Sequence, residues 1–216
     1  MEKEIKYFPI YPLSQTVFFP KTKIPLHISE EKYKMMVSDC LVSKGFLGIA
    51  HIKDGQEAVV SGLPPVFKIL TVGKIIDSEE LPDRKYNILI EGIERGKIIS
   101  EIKNDPYPMA KITPLNDFIE VGRKAEVVEV TKEMFRLTGN FSNILPQYSK
   151  IIKKIISSYL HPGIIADMLA FTFVTDNYDK QCILSELNIL RRVQLISIQL
   201  RIMIKKFSHE RYKDFI

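Results

Sequence analysis

The feature that most limits this chain is a change of hydrophobic period between residues 107 and 118, in the stretch "YPMAKITPLNDF". Before it, short apolar runs such as "IPLHI", "GFLGIAHI" and "VFKILTVGKII" stand between glycines, prolines and polar turns. That is the texture of half-buried strands. After it glycine becomes rare and apolar residues recur every three to four positions, as on helices packed by one face. A strand period cannot serve a helix, so the spacing predicts an α+β chain. The expectation is a β domain over residues 1–115, a barrel or sheet with one helix, and then a helical bundle over 118–212 with a long last helix.

The chain has 216 residues, 45% hydrophobic and 26% charged, enough for a sizeable core and too apolar for long-range disorder. A net charge of +5 is mildly basic, and its lysines and arginines are scattered among acids. The two cysteines, Cys40 and Cys182, form no CxxC pair, which points to a reducing, cytoplasmic setting. The opening "MEKEIKYFPIYPL" does not read as a signal peptide, and no apolar run approaches the roughly 18 residues that span a bilayer. No membrane partner is expected.

Several elements can be placed. "SEEKYKMMVSDCLVSKG" predicts a helix with Ser29 as N-cap and Gly45 as the stop, and with Tyr33, Met36, Val37, Cys40 and Leu41 turned to the sheet. "SEELPDRKY", residues 78–86, reads as a polar turn. "YNILIEGIERGKIISE" reads as a hairpin, with Gly92 and Gly96 supplying unusual φ values. In the second half, "VGRKAEVVEVTKEMFRLTGN" is a helix closed by Gly139-Asn140, and "NILPQYSKIIKKIISSYL" is the next. "PGIIADMLAFTFV" follows with Pro162 in its first turn. "DKQCILSELNILRRVQLISIQLRIMIKKF" reads as one long final helix.

Catalytic patterns are missing from the sequence. There is no GxxxxGK[ST], no GxGxxG leading from a strand into a helix, no HExxH and no GxSxG. His27, His51, His161 and His209 are scattered, and both cysteines sit among apolar neighbours. No cofactor and no metal ligand set is expected, and the chain is not expected to be an enzyme. "KIIKK" at 150–154 interleaves lysine with isoleucine and reads as a solvated amphipathic face. "RR" at 191–192 and "KK" at 205–206 could extend it into a phosphate-binding patch.

Three separated segments carry a resemblance. "PLSQTVFFPKTKIPLHISEEKY" resembles the opening strand, proline turn and helix start of the Lon protease N-terminal domain family. "VGKIIDSEELPDRKYNILIEGIERGKI" is similar to its next signature through Val72, Gly73, Ile75, Leu89, Glu91, Gly92, Arg95 and Ile98. "IADMLAF" and the segment from Lys180 resemble its helical part through Ala166, Asp167, Ala170, Gln181, Leu184 and Leu187. The resemblance implies a PUA-like β domain followed by a helical bundle, and a role in engaging polypeptide. The chain looks like a stand-alone version, without the family's ATPase and serine-lysine protease parts. It also departs at "SEEKY", where an arginine is usual.

The resemblance makes a non-catalytic polypeptide-binding module the leading expectation, with unfolded or tagged polypeptide as partner and a protease or chaperone as a further one. Tyr11, Phe18, Phe19, Phe67, Tyr86 and Met109 are the candidate contacts, on or beside strands and loops. Adjacent Phe18 and Phe19 would face opposite ways on a strand. Leu195, Ile198 and Ile202 form a second apolar stripe on the last helix and are candidates for homo-oligomer contact. The competing expectation is an RNA-binding PUA-like protein, ranked second because no aromatics interleave with surface lysines as base stacking needs. An enzyme with an unrecognised site ranks last.

Overall fold

A computed structural model describes residues 6–53, 63–102, 105–158 and 161–213, with side chains to 208. The chain divides into two compact units, residues 1–116 and 117–216.

In the first unit, strands β1 (Lys6–Leu13), β2 (Lys23–Ile28), β3 (Phe46–His51), β4 (Ile69–Leu81), β5 (Lys85–Ile102) and β6 (Met109–Leu115) form one sheet in the order β2-β5-β4-β3-β1-β6. A further β5–β6 pairing joins the ends of the last five strands into a barrel. β5 makes this possible. Its first half pairs with β2 and its second half, from Arg95, with β6. Register shifts on β4–β5 and β5–β6 leave Ile76, Ile93 and Ile99 as extra residues, and such bulges bend a strand. The barrel is filled by Ile10, Ala50, Leu70, Val72, Ile98, Ala110 and Ile112, among others. Each large aliphatic side chain so buried contributes roughly 1.5–3 kcal/mol.

Three local expectations change here. "YNILIEGIERGKIISE" is one continuous strand, not a hairpin, and neither Gly92 nor Gly96 has a positive φ. Both are glycine for lack of room. A Cβ on Gly92 would overlap the Phe19 carbonyl oxygen, and one on Gly96 would come within 2.5 Å of Ile112 Cγ2. The polar turn shrinks to Pro82–Arg84, because β4 and β5 run on to Leu81 and back from Lys85. "VFF" is not a strand, so Phe18 and Phe19 are freed from alternation and both are buried, at 2% and 0% exposure. Thr71 Oγ1 donates to the Phe18 carbonyl at 2.6 Å, and Thr22 Oγ1 to that of Phe19 at 2.7 Å, fixing the segment.

Helix α1 (Glu31–Val42) follows β2. Glu30, not Ser29, holds the N-cap position, with no side-chain cap. Tyr33, Met36, Val37 and Cys40 are buried as the spacing requires, whereas Leu41 is exposed. Gly45, at φ 74°, stops the helix by donating its N–H to the Cys40 carbonyl at 2.9 Å.

The second unit contains α2 (Lys124–Ile144), α3 (Ser149–Ile156), α4 (Pro162–Phe173), α5 (Asn177–Ser185) and α6 (Ile189–Lys213). α2 passes through Gly139, where nothing crowds the backbone, so the expected stop does not operate. α2 and α6 run side by side in the same direction: Arg201 meets Glu133 at 2.8 Å and Phe207 meets Phe141. Phe141 also packs edge-on against Phe173 at 5.2 Å. The expected single last helix is two. Glu186 to Asn188 break it, and Asn188 starts α6 by accepting the Arg191 N–H on its side-chain oxygen at 3.4 Å. On α3, Ile152 and Ile155 are buried and Lys150, Lys153 and Lys154 exposed.

Arg192 is not part of a surface patch. It has no exposed surface, and its guanidinium spans Asp117, the Glu186 carbonyl and Asp167 on α4. The fork ties three separated stretches of the unit together with charge-assisted hydrogen bonds.

Candidate functional site

The first unit carries a groove of about 500 Å³ where the barrel is open. β2 is the terminal strand of the sheet, and along β1 the pairing with β6 covers Lys6–Pro9. The end of β1 (Tyr11–Leu13, then Ser14 and Gln15) and Pro25–His27 of β2 therefore line the same gap. The start of α1, with Glu30, Lys32 and Tyr33, forms another part of its lining.

The groove is organised by an aromatic pair. Tyr11 and Tyr33 meet edge to face with centroids 4.9 Å apart. Lys32 Nζ lies 4.7 Å from the Tyr33 centroid and 3.8 Å from Glu30 Oε2. Burial raises the pKa of both phenols, and the nearby Glu30 carboxylate raises them further. Both remain neutral hydroxyls at physiological pH. The result is a largely polar groove in which half-buried Tyr11, backed by the buried Tyr33, stands among hydroxyl, carboxylate and ammonium groups.

A second groove, of about 410 Å³, shares Pro25–His27 and adds Asp77, Glu79 and Asn87. There His27 Nδ1 donates to Asn87 Oδ1 at 2.9 Å, and Asn87 Nδ2 donates to Glu79 Oε2 at 3.1 Å. A third groove, also about 500 Å³, is lined by Phe8, Cys40, Phe46, Tyr107 and Met109. Tyr107 donates its hydroxyl to Asp39 at 2.7 Å. Burial and that hydrogen bond push its phenol up to about 12.

Of the residues singled out from sequence, Tyr11 lines the first groove and Met109 the third. Phe67 is half-buried and stacks on His51 at 5.9 Å, outside these grooves. Phe18, Phe19 and Tyr86 are core side chains with no surface to offer. On α6, Leu195 is half-buried, and Ile198 and Ile202 are 48% and 55% exposed. Sequence reasoning passed over Pro25, His27, Lys32 and Tyr33. The signal was present in "PLHISEEKY": a proline strand running straight into a helix puts strand edge and first helical turn side by side.

Among the described residues no group of three or more His, Cys, Asp or Glu could hold a metal ion. No helix among them is long and apolar enough to cross a membrane.

A family model of the ATP-dependent protease La (LON) substrate-binding domain matches residues 7–201. The chain is 27% identical over 194 residues to the Lon protease of Dictyoglomus thermophilum, covering 89% of this chain and 24% of that protein. It is 28% identical over 198 residues to the Lon protease of Brevibacillus choshinensis, covering 87% and 24%. It thus spans about a quarter of the length of these relatives. Among solved structures, the N-terminal domain of the Mycobacterium avium complex Lon protease superposes with a TM-score of 0.65 at 16% identity, over 94% of this chain and 98% of that one. The Lon N-terminal domain protein from Xanthomonas campestris gives 0.58 at 16%, over 88% and 95%. At that identity the two structures speak for the fold, an α+β arrangement of sheet and helices.

Proposed function

Since this chain belongs to the ATP-dependent protease La (LON) substrate-binding domain family, we propose that it is a polypeptide-binding module without bond-making chemistry of its own. Its substrate is unfolded protein chain, held in the groove between the end of β1, β2 and the start of α1. The observation that carries this reading is half-buried Tyr11, held edge-on by the buried Tyr33 and flanked by Glu30 and Lys32 beside a terminal strand. Rigid aromatics bury large area at small entropic cost, which suits contact with many sequences.

The test is fluorescence anisotropy with a reduced, carboxymethylated and fluorescein-labelled single-domain protein, against the same protein in its folded form. The unfolded form binds and the folded form does not. Tyr11→Ala weakens binding about tenfold, as loss of a contact worth ~1.4 kcal/mol does. Equal binding of both forms, or no effect of Tyr11→Ala, overturns the assignment. So does tight RNA binding that falls steeply with salt.

A further inference from the structure

Holding many unrelated sequences requires a grip that ignores side chains, and the outer edge of β2 supplies one. We propose that β2 receives an extended polypeptide segment as an additional strand, recognised through its backbone; this inference rests on the polypeptide-binding reading of the same groove. β2 ends the sheet, and its register with β5 sets Ile24, Leu26 and Ile28 opposite Ile90, Ile88 and Tyr86, with Lys23, Pro25 and His27 opposite Glu91, Leu89 and Asn87. Antiparallel partners alternate between pairs that exchange hydrogen bonds and pairs that do not. Pro25 has no N–H and belongs to the non-bonded set. The Gly92 N–H, donated to the Thr22 carbonyl at 2.9 Å, fixes the same phase. The N–H and C=O groups of Lys23 and His27, and the C=O of Pro25, therefore point away from β5 toward the groove. A row of spaced backbone donors and acceptors is matched by another backbone in extended form, whatever its side chains.

Charge narrows the partner further. Lys21 and Lys23, both exposed where β2 begins, make no ion pair among the described residues, so an acidic residue at the end of the incoming segment is matched there. The occupant is an extended, unfolded segment with an acidic end, lying beside β2 with alternate side chains toward Tyr11.

The probe is the fluorescein-labelled peptide Asp-Thr-Val-Thr-Val-Thr-Val-Asp, read by anisotropy and by amide hydrogen exchange of the whole chain. It binds, and the Lys23 and His27 amides become protected. His27→Pro, which removes an outward donor and leaves the β5 ladder intact, weakens binding about tenfold, whereas His27→Ala does not. The peptide methylated at every backbone nitrogen does not bind, and replacing its terminal Asp residues by Lys weakens it. Should the peptide bind while those amides exchange as before and the proline and alanine variants behave alike, strand pairing is overturned and groove binding stands. If neither peptide nor unfolded protein binds, both readings fall; if the unfolded protein binds and the peptide does not, only the strand inference falls. Protection that grows with protein concentration and without peptide puts a second copy of this chain on the edge and overturns the peptide as occupant. Exchange data read this even if the proline variant folds poorly.

Discussion

Arg192 grips Asp117 through two parallel hydrogen bonds, Nη1 to Oδ2 at 2.8 Å and Nη2 to Oδ1 at 2.5 Å. The arginine side chain is fully buried, and the same guanidinium lies 3.4 Å from Asp167, whose side chain is 1% exposed. Removing the arginine takes a buried cation away from Asp117 and Asp167. Arg192→Met should destabilise the chain by ~3–5 kcal/mol in urea unfolding. The double variant Arg192→Met/Asp167→Leu should recover part of that, because an apolar replacement asks for no partner. No difference between single and double variants would assign the loss to packing rather than stranded charge.

Asn188 begins α6 in the position that sequence reading ran straight through. It accepts the Arg191 N–H on its side-chain oxygen, donates from Nδ2 to Glu120 at 2.8 Å, and donates its own backbone N–H to Glu186 Oε1 at 2.8 Å. Asn188→Ala loses the cap and the link to Glu120, a cost of about 1–2 kcal/mol. Asn188→Asp, which keeps the cap but sets a second carboxylate against Glu120, should be destabilising at neutral pH and recover as the pH is lowered. A pH-independent deficit would mean that the cap, not the charge, decides.

How far the sequence could be read follows from how local each cause is. The α+β class was legible because strand and helix periods are properties of neighbouring residues. The buried face of α1 was legible for the same reason, since Tyr33, Met36, Val37 and Cys40 share one side of any helix drawn there. Leu41 stands one residue off that side and is exposed. The second aromatic of the groove was placed in this buried set, and its meeting with Tyr11 depends on a strand from elsewhere. Gly92 reads as a turn residue until the distant Phe19 carbonyl is brought against it. Phe18 and Phe19 read as alternating only while their segment is taken for a strand. Arg192 reads as surface charge until Asp117 and Asp167 arrive from far along the chain.

Gly92 carries a sharp packing prediction. Its N–H goes to the Thr22 carbonyl and its carbonyl receives the Lys21 N–H at 2.8 Å, so the backbone is held on both sides. A methyl added there meets the Phe19 carbonyl and lies 3.1 Å from Pro20 Cα, both main-chain atoms that cannot rotate away. Gly92→Ala should cost about 3 kcal/mol in urea unfolding. Gly139→Ala, on an exposed helical position with nothing within 4 Å, should instead stabilise by roughly 0.5–1 kcal/mol. If both substitutions move stability the same way, the contact at Gly92 is not the constraint described.

Cys40 makes stability depend on alkaline pH. It is buried against the barrel, 3.7 Å from the Phe46 carbonyl, and burial, with the Asp39 carboxylate adding to it, pushes its thiol up from 9.0 to about 11. In the unfolded chain the thiol ionises near its ordinary value, whereas the folded chain keeps the proton longer. The unfolded state thus binds fewer protons in this window, and the sign of the linkage makes stability fall as pH rises. The contribution is fully present below about 9 and lost between about 9 and 11. Its size is on the order of 2 kcal/mol. Urea midpoints measured across that window for the parent chain and Cys40→Ala should diverge, with the variant's slope the shallower, since the raised phenols titrate in both. Below that window Cys182, which is exposed, should react with iodoacetamide well before Cys40. Parallel slopes in the two proteins, or equal alkylation rates, would show that the Cys40 thiol is not held neutral by the fold.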